Sequence, residues 1–194
     1  MSNDYISRNL DRRKLFKIGG TAVAGAGLLM LSPNAIARPR SREAFLAGDV
    51  SVMQGALALE HEGIAAYRLA AGSGLLSKGT IAVASVFLGH HQGHRDALAK
   101  LIAEAGGKPV EPKDDQEYAA SLNLAALKSE AAVVRFAAGL EQGAANAYVG
   151  QVAALRDSKL ARLFSQLGAD EAVHWALLNN AMGGSVSKAA FLFG

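Results

Sequence analysis

The sequence predicts an all-α protein, an antiparallel four-helix bundle with a long crossover between its second and third helices, and three observations carry that expectation. Alanine is abundant, β-branched residues are sparse and only four prolines occur, a composition that favours helix over strand along most of the chain. Four segments of roughly 20 to 30 residues place apolar side chains at i, i+3 and i+4, the pattern of helices that each bury one face. The chain also repeats itself: LEHEGIAAY, beginning at Leu59, aligns without a gap on LEQGAANAY, beginning at Leu140. With 194 residues, 51% of them hydrophobic and 19% charged, there is apolar material for one domain with a single core.

The first stretch stands outside the bundle. Asp11-Arg12-Arg13-Lys14-Leu15-Phe16-Lys17 resembles the twin-arginine export signal, with Asp in place of the usual Ser or Thr and with Leu and Phe exchanged. A Gly/Ala-rich run over residues 18–31 follows, too short and too weakly apolar to span a bilayer comfortably, and then Pro33 and Ala35-Ile36-Ala37, a small-x-small cleavage pattern. The expectation is a signal peptide over 1–37 cleaved after Ala37, a short tail over 38–49, and a mature protein in the periplasm or another extracytoplasmic space without stable membrane insertion. Five of the 20 Lys/Arg and two of the 17 Asp/Glu lie within residues 1–37, so fifteen of each sign remain and the mature part has no formal net charge. No basic patch with interleaved aromatics remains to suggest a nucleic-acid partner. The absence of cysteine excludes disulfides, thiolate metal sites and thiol catalysis. The mature chain contains no Ser-His-Asp arrangement, nucleophile elbow or phosphate-cradling glycine loop.

The bundle is expected over residues 50–184. Its first helix runs over 50–71, with Asp49 or Ser51 as N-cap, and stops at Gly72-Ser73-Gly74. A second, over 77–105, stops at Gly106-Gly107. Residues 109–118 are polar and turn-rich, the place for the crossover. A short helix over 122–127 precedes a third long one over 130–155, and the fourth runs over 159–181 to Gly183-Gly184. The tail, 185–194, ends Ala-Phe-Leu-Phe-Gly and is apolar enough to dock on its own bundle or on a second copy in a homo-oligomer.

Chemistry concentrates on four stretches. Glu60 precedes Tyr67 by seven residues, about two helical turns, and Glu141 precedes Tyr148 by the same interval. From Glu60 to His94 is 34 residues and from Glu141 to His174 is 33, and three residues before each histidine stands another donor, His91 or Glu171. Side chains three apart on a helix lie about 60° apart around its axis and can point into one site. Carboxylates sunk in a bundle core are costly unless paired or bound to a cation, so inward Glu facing inward His implies a metal or a protonated, hydrogen-bonded cluster. Carboxylate oxygen with imidazole nitrogen suits iron or manganese, with zinc a competitor. Tyr67 and Tyr148 read as core tyrosines bonded to the glutamates, His61 as packed on a neighbouring helix or in solvent, Trp175 as a core aromatic, and His90 as a supporting or surface residue.

Glu on one helix, a donor-x-x-His pair on the next, and both again after a crossover resembles the ferritin-like, di-iron carboxylate superfamily. LALEHEGIAAY, HRDAL and LGADEAVHWALL are similar to exported ferritin-like domain proteins of bacteria. The resemblance implies a ferritin-like bundle with Glu60, Glu141, Glu171, His94 and His174 at ligand positions. It departs at His91, which stands where the first Glu-x-x-His pair has its glutamate. Three Glu and three His leave several options open: a mononuclear site, an unevenly loaded two-metal site, zinc, or no metal.

Two functions compete at this level. One is an envelope protein that binds iron or manganese, with ferroxidase or peroxide-consuming chemistry and a part in stress protection. The other is a metal-free binding or structural module with a buried polar network whose histidines charge below about pH 6.5. A ferritin-type storage cage needs dedicated subunit contacts, and the sequence displays none. Neither substrate nor reaction is legible.

Overall fold

The computed structural model of the chain describes residues 42–185, 187, 188 and 190–193. The expected signal peptide, its cleavage site and residues 38–41 lie outside the described residues. Five α-helices and one 3-10 turn follow in order: α1 (Arg42–Gly72), α2 (Lys78–Glu104), α3 (Asp115–Ser121), the 3-10 turn (Leu124–Ala126), α4 (Glu130–Val152) and α5 (Ser158–Ala181). There is no strand among the described residues. The four long helices form two hairpins, α1 packed along α2 and α4 along α5.

Local chemistry sets the boundaries. Ser77, Ser129 and Asp157 are N-caps whose side chains accept backbone N–H bonds from the first turns of α2, α4 and α5. Gly106 and Gly183 close α2 and α5 in the left-handed conformation, at φ 81° and 74°. At both ends the next residue's N–H reaches back to the carbonyl of Ile102 or Asn179, which satisfies carbonyls the helix leaves open.

Three expectations are corrected. α1 begins at Arg42, so residues 42–49 are helical, and Asp49 lies inside the helix where it caps nothing on α1. Its buried carboxylate instead accepts from the Arg156 and Asp157 backbone N–H groups, at 2.8 and 3.0 Å, and so ties α1 to the turn before α5. Asp49→Ala is expected to cost about 1–3 kcal/mol, since two N–H groups lose their acceptor; chemical denaturation checks this. The turn-rich link also contains a helix, α3, nucleated by a capping box between Asp114 and Glu117. The short helix expected over 122–127 shrinks to the single turn Leu124–Ala126.

The crossover is laced to α1 by side chains seven residues apart. Gln54 bonds both Lys108 O and Val110 N, His61 Nε2 donates to the Val110 carbonyl at 3.1 Å, and Arg68 pairs with Asp115 on α3. His61 thus serves the connection and lies off the central polar layer. In the tail, Phe193 packs edge-on to Trp175 at 5.4 Å between ring centroids, while Phe191 is 99% exposed. No helix among the described residues is long and apolar enough to cross a membrane.

The core has apolar clusters on either side of a polar layer. Met53, Leu57, Leu98, Ile102, Tyr148 and Phe164 belong to one cluster, and Tyr67, Phe87 and Leu178 to the other. Truncating Leu57 or Leu98, both fully buried, would cost about 2–5 kcal/mol. The polar layer between them demands a separate account.

Candidate metal centre

All six donors predicted from the sequence occupy that layer, and all are buried: Glu60, His91, His94, Glu141, Glu171 and His174. Each comes from a long helix, Glu60 from α1, the first two histidines from α2, Glu141 from α4 and the last pair from α5. His91 lies across the centre, its Nδ1 2.8 Å from Glu60 Oε2 and its Nε2 3.3 Å from Glu141 Oε1. His94 Nδ1 is 3.1 Å from Glu171 Oε1, and His174 Nδ1 is 3.2 Å from Glu171 Oε2 and 3.3 Å from Glu141 Oε2.

The donors fall into two overlapping groups, each with its ligand atoms within 4.8 Å of one another. One holds Glu60, His91, His94 and Glu171, the other His91, Glu141, Glu171 and His174. Glu171 therefore stands where a carboxylate shared by two cations would stand. His91 belongs to both groups as well, with one ring nitrogen beside each of the two single glutamates.

Supporting contacts cross between the halves. Tyr67 donates to Glu141 and Tyr148 to Glu60, so each tyrosine serves the glutamate of the other repeat. The sequence places each tyrosine on the stripe of its own glutamate, and the swap appears only when the hairpins pack. Asp170 Oδ2 lies 3.2 Å from His94 Nε2, and His90 Nδ1 lies 2.9 Å from His174 Nε2. His90 is exposed yet orients a buried ring. Asp170 was missed in the sequence, where its only signal is a second carboxylate next to Glu171. Phe87 stacks on His174 at 4.2 Å. Gly63, one turn after Glu60, makes room for the imidazole: a Cβ there would lie 3.3 Å from His91 Cε1 and Nδ1.

Electrostatics follow from burial set against pairing. Burial disfavours the charged form of Glu60, but the hydrogen bond from His91 and the His94 imidazole close by prevail and hold its carboxyl down at about 2. Burial likewise opposes charge on His91 and His94, yet the carboxylates of Glu141 and Glu60 bonded to His91, and those of Glu171 and Glu60 beside His94, push both up to about 10. His174 moves upward for the same reasons, through Glu141 and Glu171. Glu141 is lowered, its burial outweighed by His174 and His91, whereas burial wins at Glu171 and raises it. Tyr67 and Tyr148 are raised by burial and by the carboxylates they touch, so both remain hydroxyl donors.

These shifts correct the expectation that the histidines charge only below about pH 6.5, and they set a stability window for the metal-free chain. The contribution of Glu60 is present above its ordinary 4.5 and lost as pH falls toward 2. That of His91 and His94 is complete below 6.5 and lost as pH rises through about 10. Glu171, shifted upward, acts in the opposite sense to Glu60 and softens the acid side. Metal-free protein is expected to be most stable between about pH 4.5 and 6.5 and to melt at progressively lower temperature toward about pH 10. A melting temperature that rises across that alkaline range would contradict the assignment.

The residues fit a cation. His94 Nδ1 and Glu171 Oε1 are buried atoms that lack a hydrogen-bond partner, since their mutual approach has ion-pair distance without hydrogen-bond alignment. Unsatisfied buried polar atoms are rare and call for an explanation. The oxygen and imidazole donors around them are those that iron, manganese and zinc accept.

Comparison with known proteins bears on the family and the fold. A family model described as a ferritin-like domain matches residues 48–184. No curated protein matches the chain. Among solved structures, a conserved hypothetical protein from Mycobacterium tuberculosis is similar at 22% identity and a TM-score of 0.59, over 75% of this chain and 97% of that one. Another, described as ferritin like, diiron-carboxylate proteins from Bacillus anthracis str. Ames, is similar at 18% identity and a TM-score of 0.58, over 73% and 99%. At these identities the likeness is one of fold.

Proposed function

This chain belongs to the ferritin-like domain family, and from that membership we propose that it is an exported protein whose bundle core binds iron or manganese for ferroxidase or peroxide-related redox chemistry in stress protection. The observation that carries the reading is the pair of overlapping four-donor groups sharing Glu171 and His91. Glu60 and His94 would hold one cation, Glu141 and His174 a second, with Glu171 between them. Iron or manganese bound there supplies one-electron redox chemistry and a Lewis-acid centre. The chain's own residues prepare the place: Tyr148 and Tyr67 fix the two single glutamates, Asp170 and His90 fix the two outer histidines, and Phe87 covers His174 against water. The Arg12-Arg13 segment supports export through the twin-arginine route, which would carry this chemistry to the periplasm or another extracytoplasmic space.

A second reading, a metal-free envelope module, draws on the charge balance of the layer, where three carboxylates face three imidazoles. Chelation separates the two. A cation present at about 100 times its Kd adds about 2.7 kcal/mol to the folded state, which for a domain of this size is roughly 5–10 °C in Tm. Removing metal from the purified protein is expected to lower Tm by that amount, and returning the metal should restore it. An unchanged Tm favours the metal-free module.

A further inference from the structure

The α1–α4 seam is thin compared with the two hairpins, and a cavity of about 250 Å³ lies in it. Glu60, His91, Glu141 and Tyr67 form its polar end, Glu62 adds one further carboxylate, and the rest of its wall is apolar, with Leu59 and Leu140 prominent. Two glycines of that wall, Gly139 and Gly143, lie inside α4, where glycine destabilises a helix relative to alanine. Packing does not require them, since a Cβ at either position would meet nothing within 4 Å. Their effect is to leave the space before the carboxylates clear.

We propose that this cavity binds a single-ring phenol, its hydroxyl donating to Glu60 or Glu141 and its ring held between the aliphatic wall and the face of His91. The space is a cleft open to solvent past Leu59, Gly139 and Gly143, and its volume of about 250 Å³ leaves room for one substituted ring. The polar groups at its end are chiefly carboxylate acceptors, each already bonded to a tyrosine and a histidine but with lone pairs remaining, so the ligand must bring a donor. The aliphatic side chains of Leu59, Leu140, Ala144 and Ala147 make up much of the remaining wall, which favours a donor carried on an apolar ring. The inference deepens the metal reading by naming the molecule admitted beside the centre. It relies on that reading for its purpose, while binding of the ring itself needs no metal.

The test is a ¹⁹F NMR titration of 4-fluorophenol into the protein, with metal content measured on the same samples. One saturable site per chain is expected. Fluorobenzene, which lacks the hydroxyl, should bind at least about tenfold more weakly. Gly143→Leu and Gly139→Leu, which extend a side chain into the cavity, should each weaken 4-fluorophenol by at least about tenfold, and Gly150→Leu, on the same helix away from the cavity, should not. Absence of saturable binding, equal affinity for the two probes, or undiminished binding by the folded Gly143→Leu and Gly139→Leu variants overturns the inference. Phenol binding by a protein that holds no metal would refute the metal reading alone. Metal retained without phenol binding would refute this inference alone.

Discussion

Replacing Glu171 with Gln is expected to lower the metal content of the protein at least about tenfold while leaving the bundle folded, because the residue belongs to both donor groups and the amide removes its charge from each. The substitution should separate binding from folding better than any other in the layer. Burial raises the Glu171 carboxyl above its ordinary value, so its charge is the least favoured of the three in the layer and a neutral amide of the same shape disturbs the metal-free core least. Its stability cost should remain within about 1 kcal/mol. Glu60→Gln makes the contrast: Glu60 is held at about 2 by His91 and His94, and its loss takes one carboxylate partner from each of these buried rings, at a cost of about 3–5 kcal/mol. Elemental analysis and thermal melts of the two variants give both readouts. Glu171→Gln that retains its metal would remove the shared carboxylate from the proposed site.

The substitution His91→Glu should produce the second large effect, this time with opposite signs in the two states. It sets a fourth carboxylate among Glu60, Glu141 and Glu171 and removes the imidazole that lies between them. Without metal, like charges in a buried layer are expected to destabilise the fold by about 3–5 kcal/mol. With metal, four carboxylates and two imidazoles match the donor set that the family resemblance implies, and two ions per chain should be retained. Gly63 already leaves space beside the ring position, so the smaller carboxylate enters without a clash. Thermal melts with and without added iron or manganese should therefore differ far more for the variant than for the natural protein. Equal metal dependence in the two would show that His91 does not set the loading.

What could be read beforehand divides along a physical line. The four long helices and the six inward donors follow from spacing along single helices, and all depend on contacts within about one or two turns. Features that depend on packing between helices were not legible. Asp49 has the chemistry of an N-cap and acts as one, but for a turn more than one hundred residues away. The crossed pairs of Tyr67 with Glu141 and Tyr148 with Glu60 depend on how two similar hairpins face each other, which a repeat in sequence does not specify. Asp170 sits outside the three-residue spacing that reveals ligands and matters only because α2 and α5 lie side by side, and the same packing brings His90, expected as a supporting or surface residue, onto His174. The raised histidines likewise arise from glutamates on other helices, so the ordinary imidazole value misjudged their charge.

The central claim is that the buried layer is a cation site, and elemental mass spectrometry of the protein purified from its own cells, without chelator or affinity nickel, tests it most directly. One to two equivalents of iron or manganese per chain are expected, with at least about tenfold less in Glu171→Gln. Metal-free protein that stays metal-free after anaerobic reconstitution would contradict the account and leave the layer as a closed network of carboxylates, imidazoles and phenols.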